Sequence, residues 1–173
     1  KINTALEKIG SFEGVPPNRL REEFAVPADA PILGNVAAMA DHKGQRYLVA
    51  AMPRVLAAEP KARLFIVGDG ELRGALDAQV ADLRVAHAVA FTGFRTDMPQ
   101  WLDLFDVFVM SSHLEGLCTS VLDALAMRKP VVASAAGGLP EIIRHEVTGL
   151  LVPPREPEPL AEAILRLLRD RPH

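Results

Sequence analysis

Along residues 31–169, short apolar runs alternate with longer stretches of helical spacing. The runs are "PILGNVA", "ARLFIVG", "AVAFTG", "LFDVFVM", "PVVAS" and "GLLVPP". Each is apolar at consecutive positions rather than at every second one, so each predicts a strand buried on both faces. Segments of helix length follow, over 43–58, 71–83, 96–103, 117–127, 138–144 and 157–169. A strand needing cover on both faces, followed each time by a helix able to supply it, is the unit of a parallel sheet. Six such units predict an α/β fold, a Rossmann-like doubly wound parallel six-stranded sheet with helices on both faces. The last helix supports the register. Its Leu160, Ala161, Ile164, Leu167 and Leu168 form one stripe, with Glu162, Arg166 and Arg169 mostly outside it.

The stretch before Pro31, "EGVPPNRLREEFAVPADAP", is charged and punctuated by proline, with a short helical hint at Leu20–Phe24. Residues 1–30 are therefore read as a linker or N-terminal segment, and 31–173 as one domain. At 49% hydrophobic, 173 residues can bury one core without staples.

In a doubly wound sheet, ligands gather outside the carboxyl ends of the strands, where strand order reverses. Polar and glycine residues collect at those ends here: Lys43 with Gly44, Gly68-Asp69-Gly70, Gly93, Ser111 to Glu115, and Gly137-Gly138. A net charge of −3 offers no field for a phosphate backbone or an anionic bilayer, so nucleic acid is not an expected partner. Any anion must be held locally. Cys118 is the single cysteine, so no internal disulfide forms, and no window approaches the length of an apolar membrane span. A cytoplasmic setting is expected. The chain opens with Lys1 and carries no leader pattern, which fits a piece of something longer.

Glu115 and Asp123 stand eight residues apart in "SSHLEGLCTSVLDALAMRKPVVAS". On a helix starting near Leu117 or Cys118, that spacing separates them by at most roughly 12 Å along the axis. Between them, the amides of Gly116, Leu117, Cys118 and Thr119 would open a helix, where N–H groups lack internal partners and the dipole favours phosphate. The stretch can grip a diphosphate with a ring at each end. The alternative is local: Ser120 and Asp123 fit an S-x-x-D cap, and Glu115 would be a loop charge. The apolar neighbours Val121, Leu122, Ala124 and Leu125 predict a helix buried on most sides, where a carboxylate needs a partner such as Arg128 or Lys129.

Lys43 follows the first strand, where an ammonium would neutralise a diphosphate or merely open a helix. Gly68-x-Gly70 lacks the third glycine of a dinucleotide fingerprint, because Arg73 occupies that position. Gly137-Gly138 allows either a close approach to ligand or a tight turn. Cys118 and His113 have no third orienting group and read as a buried thiol and a loop imidazole. No Cys, His or acidic cluster has metal-ligand spacing, so no metal is expected.

"ILGNVAAMADHKG", "FIVGDGELR", "VAFTGFRTDM", the run from "FDVFVM" to "LPEII", and "VTGLLVPPREPEPLAEAI" occur in an order and spacing that resemble one known family. It is the donor-binding, C-terminal half of the family-four retaining glycosyltransferases with the GT-B fold, over residues 31–169. The resemblance implies a nucleoside-diphosphate hexose donor carrying UDP, GDP or ADP, no metal or other cofactor, and retention at the anomeric carbon. It further implies that Glu115 meets the donor sugar, Asp123 the ribose and Lys43 the phosphate. The turn Gly93-Phe94-Arg95 would line the base. Deprotonation of the acceptor by the leaving phosphate is part of the same implication.

Three departures go with it. Ala37-Ala38 stands where the family usually has Gly-Arg, Arg128 replaces a frequent glycine, and the acceptor-binding half is absent from these residues. The expected function is transfer of a hexose to a glycan or lipid-linked acceptor, by a protein of which this domain alone is inactive. Any association with the cytoplasmic face of a membrane would run through the missing half. Two other readings stay open: a degenerate nucleotide-sugar-binding module without transfer, and a nucleotide-sugar epimerase of the same fold. With Ala38 uncharged, Arg95 is the candidate for a replacement cation.

Overall fold

The computed structural model describes residues 18–170. Among them, six strands lie inside the six apolar runs: β1 Ile32–Val36, β2 Arg63–Val67, β3 Val89–Gly93, β4 Val107–Met110, β5 Val131–Ser134 and β6 Leu150–Val152. The helices are α1 Asn18–Glu23, α2 Gln45–Ala58, α3 Arg73–Asp82, α4 Met98–Leu104, α5 Thr119–Ala126, α6 Leu139–Ile142 and α7 Pro157–Arg169, with a 3-10 turn at Asp41–Lys43 before α2. All neighbouring strands are parallel, in the order β3-β2-β1-β4-β5-β6. The expected doubly wound sheet is the one observed. Its order reverses between β1 and β4, which opens a crevice between the loops that leave those two strands.

Adjacent strand residues feed opposite cores, because side chains alternate across a sheet. Leu33, Leu64 and Ile66 join α2, α3 and α7 on one face, around Val49, Met52, Leu76, Leu160 and Ile164. Ile32, Phe65 and Val67 join α4, α5 and α6 on the other, around Trp101, Val121 and Leu139. This is why the strands read as continuous apolar runs.

Residues 1–17 of the segment read as a linker lie outside the described residues. Its remainder, from Asn18 to Ala30, is packed rather than free. Leu20, Val26 and Ala30 are buried, and Phe24 meets the rings of Phe65 and Trp101 edge-on at 5.2 and 5.3 Å. No helix of the described residues is long and apolar enough to cross a membrane.

Candidate active site

The two loops beside the crevice are tied to each other through their backbones. The His113 amide donates to the His42 carbonyl at 2.9 Å, and the Ser111 hydroxyl donates to the Lys43 carbonyl at 3.2 Å. Gly44, at φ 64°, lies so close that a Cβ there would sit 2.2 Å from the Ser111 carbonyl oxygen. Across this seam the Lys43 ammonium donates to Glu115 Oε2 at 2.7 Å, with the two side chains 19% and 8% exposed. The Ser112 hydroxyl, fully buried, lies 3.0 Å from the same oxygen. Two groups 72 residues apart in sequence thus become one ion pair at the switch point.

Gly137 and Gly138 hold the other side of this loop. A Cβ on Gly137, at φ 54°, would lie 1.9 Å from the Glu115 carbonyl oxygen, and one on Gly138 would lie 2.6 Å from that of Gly116. The Gly138 amide donates to the Glu115 carbonyl at 3.0 Å. The close approach these glycines allow is to the Glu115–Gly116 backbone. They position the loop that carries the carboxylate.

Past Glu115 the chain enters α5, whose N-cap is Cys118 with no side-chain cap. The amides of Gly116, Leu117 and Cys118 find no acceptor among the described residues, and the first bond of the helix is Leu122 N–H to the Cys118 carbonyl at 3.2 Å. The helix therefore presents open donors and its positive dipole end beside Glu115. An S-x-x-D box would need Ser120 as the cap, and Ser120 lies inside the helix. Asp123 is not a capping residue.

The expectation of a helix buried on most sides is corrected. Only Val121 and Ala124 are buried within α5, whereas Leu122 is 39% exposed and Leu117, just before it, 68%. Asp123 is half-buried and has no side-chain partner among the described residues. Burial alone raises its carboxyl above the usual aspartate range. Neither basic neighbour reaches it: Lys129 donates to the Asp103 carbonyl at 2.5 Å, and Arg128 is exposed. Arg128 sits at φ 58° in a Schellman ending, where its own amide bonds the Leu125 carbonyl and that of Lys129 bonds Ala124, both at 2.9 Å. Left-handed backbone at this position favours glycine, which accounts for the residue arginine replaces.

Gly93, at φ 71°, turns the chain out of β3 and leaves Phe94 80% exposed. Arg95 does not fill the place of a free replacement cation. Its Nε and Nη2 donate to Asp97 at 2.9 and 2.7 Å, and it stacks over Trp101 at 5.4 Å. Hydrogen bonding between the pair holds Asp97 below the usual range and Arg95 above it. Cys118 is buried, its sulfur 3.5 Å from the Ser120 hydroxyl; His113 instead faces Asp41 at 3.3 Å. No group of three or more His, Cys, Asp or Glu among the described residues could hold a metal ion. Ser112 falls within the strand-end stretch Ser111 to Glu115, but nothing in the sequence gives it a role of its own. Its only signal is a serine three residues ahead of a strand-end glutamate, which many loops contain.

Residues 30–170 match the family described as "Glycosyl transferases group 1". The chain belongs to that family. Among its relatives, the GDP-mannose-dependent alpha-(1-6)-phosphatidylinositol monomannoside mannosyltransferase of Mycobacterium tuberculosis strain H37Rv is 35% identical over 193 residues, covering 99% of this chain and 50% of that protein. The crystal structure of Anabaena HepE in complex with UDP and glucose is similar at a TM-score of 0.86 and 29% identity, over 94% of this chain and 45% of that one. The C-terminal domain of a glycosyl transferase group 1 family protein from Francisella tularensis shares the fold at a TM-score of 0.79 and 24% identity, over 92% of this chain and 85% of that one. That structure is of a domain by itself. This glycosyl transferase chain spans half or less of the curated relatives' length, 39% of an uncharacterized glycosyltransferase of Methanocaldococcus jannaschii and 50% of the mycobacterial protein.

Proposed function

We propose that this chain binds a nucleoside-diphosphate hexose and is the donor-binding half of a metal-independent, retaining hexosyltransferase. The observation that carries the reading is the Lys43–Glu115 ion pair at the switch point, beside the unbonded amides of Gly116, Leu117 and Cys118. Lys43 and these amides, with that of Thr119, are donors that would stabilise charge developing on a departing diphosphate. Glu115 would accept from hexose hydroxyls and Asp123 from ribose hydroxyls. Gly93, Phe94 and Arg95 would line the base, with Arg95 acting through its backbone and its stacked plane, since Asp97 occupies its guanidinium. Gly137 and Gly138 contribute by holding the Glu115 loop.

The rest of the protein would bring a glycan or lipid-linked acceptor, on the cytoplasmic side and at a membrane face where the acceptor is lipid-linked. Exposed Phe94, Leu114 and Leu117, all at the carboxyl end of the sheet, suit a face that another segment covers. The base is left open by the relatives themselves, since one is named for GDP-mannose and another was crystallised with UDP.

Calorimetric titration of UDP, GDP, ADP and their hexoses, on wild type beside Asp123→Asn and Glu115→Ala, tests the reading. Asp123→Asn is expected to weaken nucleotide and nucleotide sugar alike, and Glu115→Ala to weaken only the sugar form. Tight binding untouched by either substitution would end it. A second reading, a module that binds donor without transfer, is favoured by Ala38 and the occupied Arg95, which leave the phosphate fewer cations. Joining the chain to its acceptor-binding half and finding donor affinity without transfer would select that reading.

A further inference from the structure

Within the donor-site reading, on which this inference rests, one question is what aims the Glu115 carboxylate. Its backbone is fixed on both sides, by the His113 amide on the His42 carbonyl and by the Gly138 amide on its own carbonyl. The side chain is held separately. Both of its bonds fall on Oε2, from the Lys43 ammonium at 2.7 Å and the Ser112 hydroxyl at 3.0 Å. Oε1 has no partner among the described residues. One oxygen is anchored and the other is left without a partner.

The two anchors are not equivalent. A diphosphate would draw Lys43 toward itself, because a doubly charged group competes with a carboxylate for the same ammonium. Ser112 has no such rival: it is fully buried, and the alternative for its proton is the Met110 thioether sulfur at 3.2 Å, a far weaker acceptor than a carboxylate. We propose that Ser112 is the positioning residue for Glu115, keeping Oε2 in place while Lys43 moves to the diphosphate, so that Oε1 stays aimed at a hexose hydroxyl. The serine touches no substrate and acts through the glutamate.

The experiment measures Kd for a nucleoside diphosphate and for its hexose form, using the pair among UDP/UDP-glucose, GDP/GDP-mannose and ADP/ADP-glucose that wild type binds. The readout is their ratio, which cancels any loss common to both. Ser112→Ala is expected to shift the ratio against the sugar form about tenfold, the scale of one hydrogen bond to a charged group. Ser112→Cys, nearly isosteric and a poor donor, should do the same and stands in if the alanine variant melts too early. In a Glu115→Ala background, Ser112→Ala should change the ratio no further. A ratio within twofold of wild type in both serine variants overturns the proposal, as does an equal shift with and without Glu115, which would mark a packing role. Wild type binding none of the six ligands would instead strike the donor-site reading, and the serine's role with it.

Discussion

Two regions of the crevice are built differently. Around Lys43 and Glu115, the ammonium, one carboxylate oxygen, two serine hydroxyls and the loop carbonyls are tied to one another across a seam of hydrogen bonds and glycine contacts. Around the start of α5, amides stand without acceptors, and Asp123 is half-buried with no partner. Buried or half-buried polar groups are normally paired, and exceptions concentrate where a ligand supplies the pair. The first region is thus held together by the protein's own groups, whereas the second keeps donors and a carboxylate open, as the proposed donor site would require. In the donor-site reading proposed above, Lys43 would divide its ammonium between Glu115 and the diphosphate, while the amides and Asp123 would gain partners without losing any.

The contrast can be broken most severely at its glycine seam. Gly137→Ala puts a Cβ against the Glu115 carbonyl at a left-handed position, so strain and clash together should remove about 3 kcal/mol, or roughly 6–12 °C of Tm in a chain of this size. An unshifted melt would mean the loops separate freely. Next comes Lys43→Met, expected to weaken nucleoside diphosphates about a hundredfold through loss of a charged contact. Its Tm should fall as well, because Glu115 is left mostly buried without its cation. Binding near wild type would make the ion pair purely structural.

Asp123→Asn sharpens the comparison, since stability and affinity should part. A folded pKa raised above the unfolded one means that the protonated carboxyl stabilises the fold; that contribution is full below the unfolded pKa and lost as pH rises through the folded pKa. At neutral pH the asparagine variant should therefore melt higher than wild type while binding nucleotide about tenfold more weakly. Wild-type affinity should decline, as pH falls, earlier than an ordinary aspartate would allow. Thermal melts and titrations across pH 4–8 check both. The smallest effect is expected at Arg128→Gly, which relieves one left-handed residue at the end of α5 for about 1 kcal/mol, measured as a higher denaturant midpoint.

The sheet was legible because strands covered on both faces leave continuous apolar runs, and each strand lies within the run that announced it. Strand order and strand-end residues pointed to the candidate site, where Lys43 and Glu115 are found paired. What stayed hidden depended on partners distant in sequence. Proline and charge in Asn18–Ala30 gave no sign that Phe24 meets Phe65 and Trp101 edge-on. The apolar residues around Asp123 suggested a helix buried on most sides, although composition cannot tell a core leucine from one on an open face, as Leu117 and Leu122 are. Arg95 looked free, while the carboxylate two residues away already held it. The Gly137–Glu115 contact involves residues on loops after different strands, invisible to any local pattern.

Strand order also sets when this site can exist. β1 needs β4 beside it, and the intervening β2 and β3 both lie on β1's other side. As the chain emerges from the ribosome, β1, β2 and β3 can pair and bury one face with α2 and α3 before any residue of β4 is made. Lys43 is then in place and Glu115 does not yet exist. Bringing the two together closes a span of 72 residues, a late and entropically demanding event. Half-made or truncated chains with a well-formed first sheet edge would hold no ion pair at the crevice, so the donor capture proposed above would have to wait for completion of the central strands.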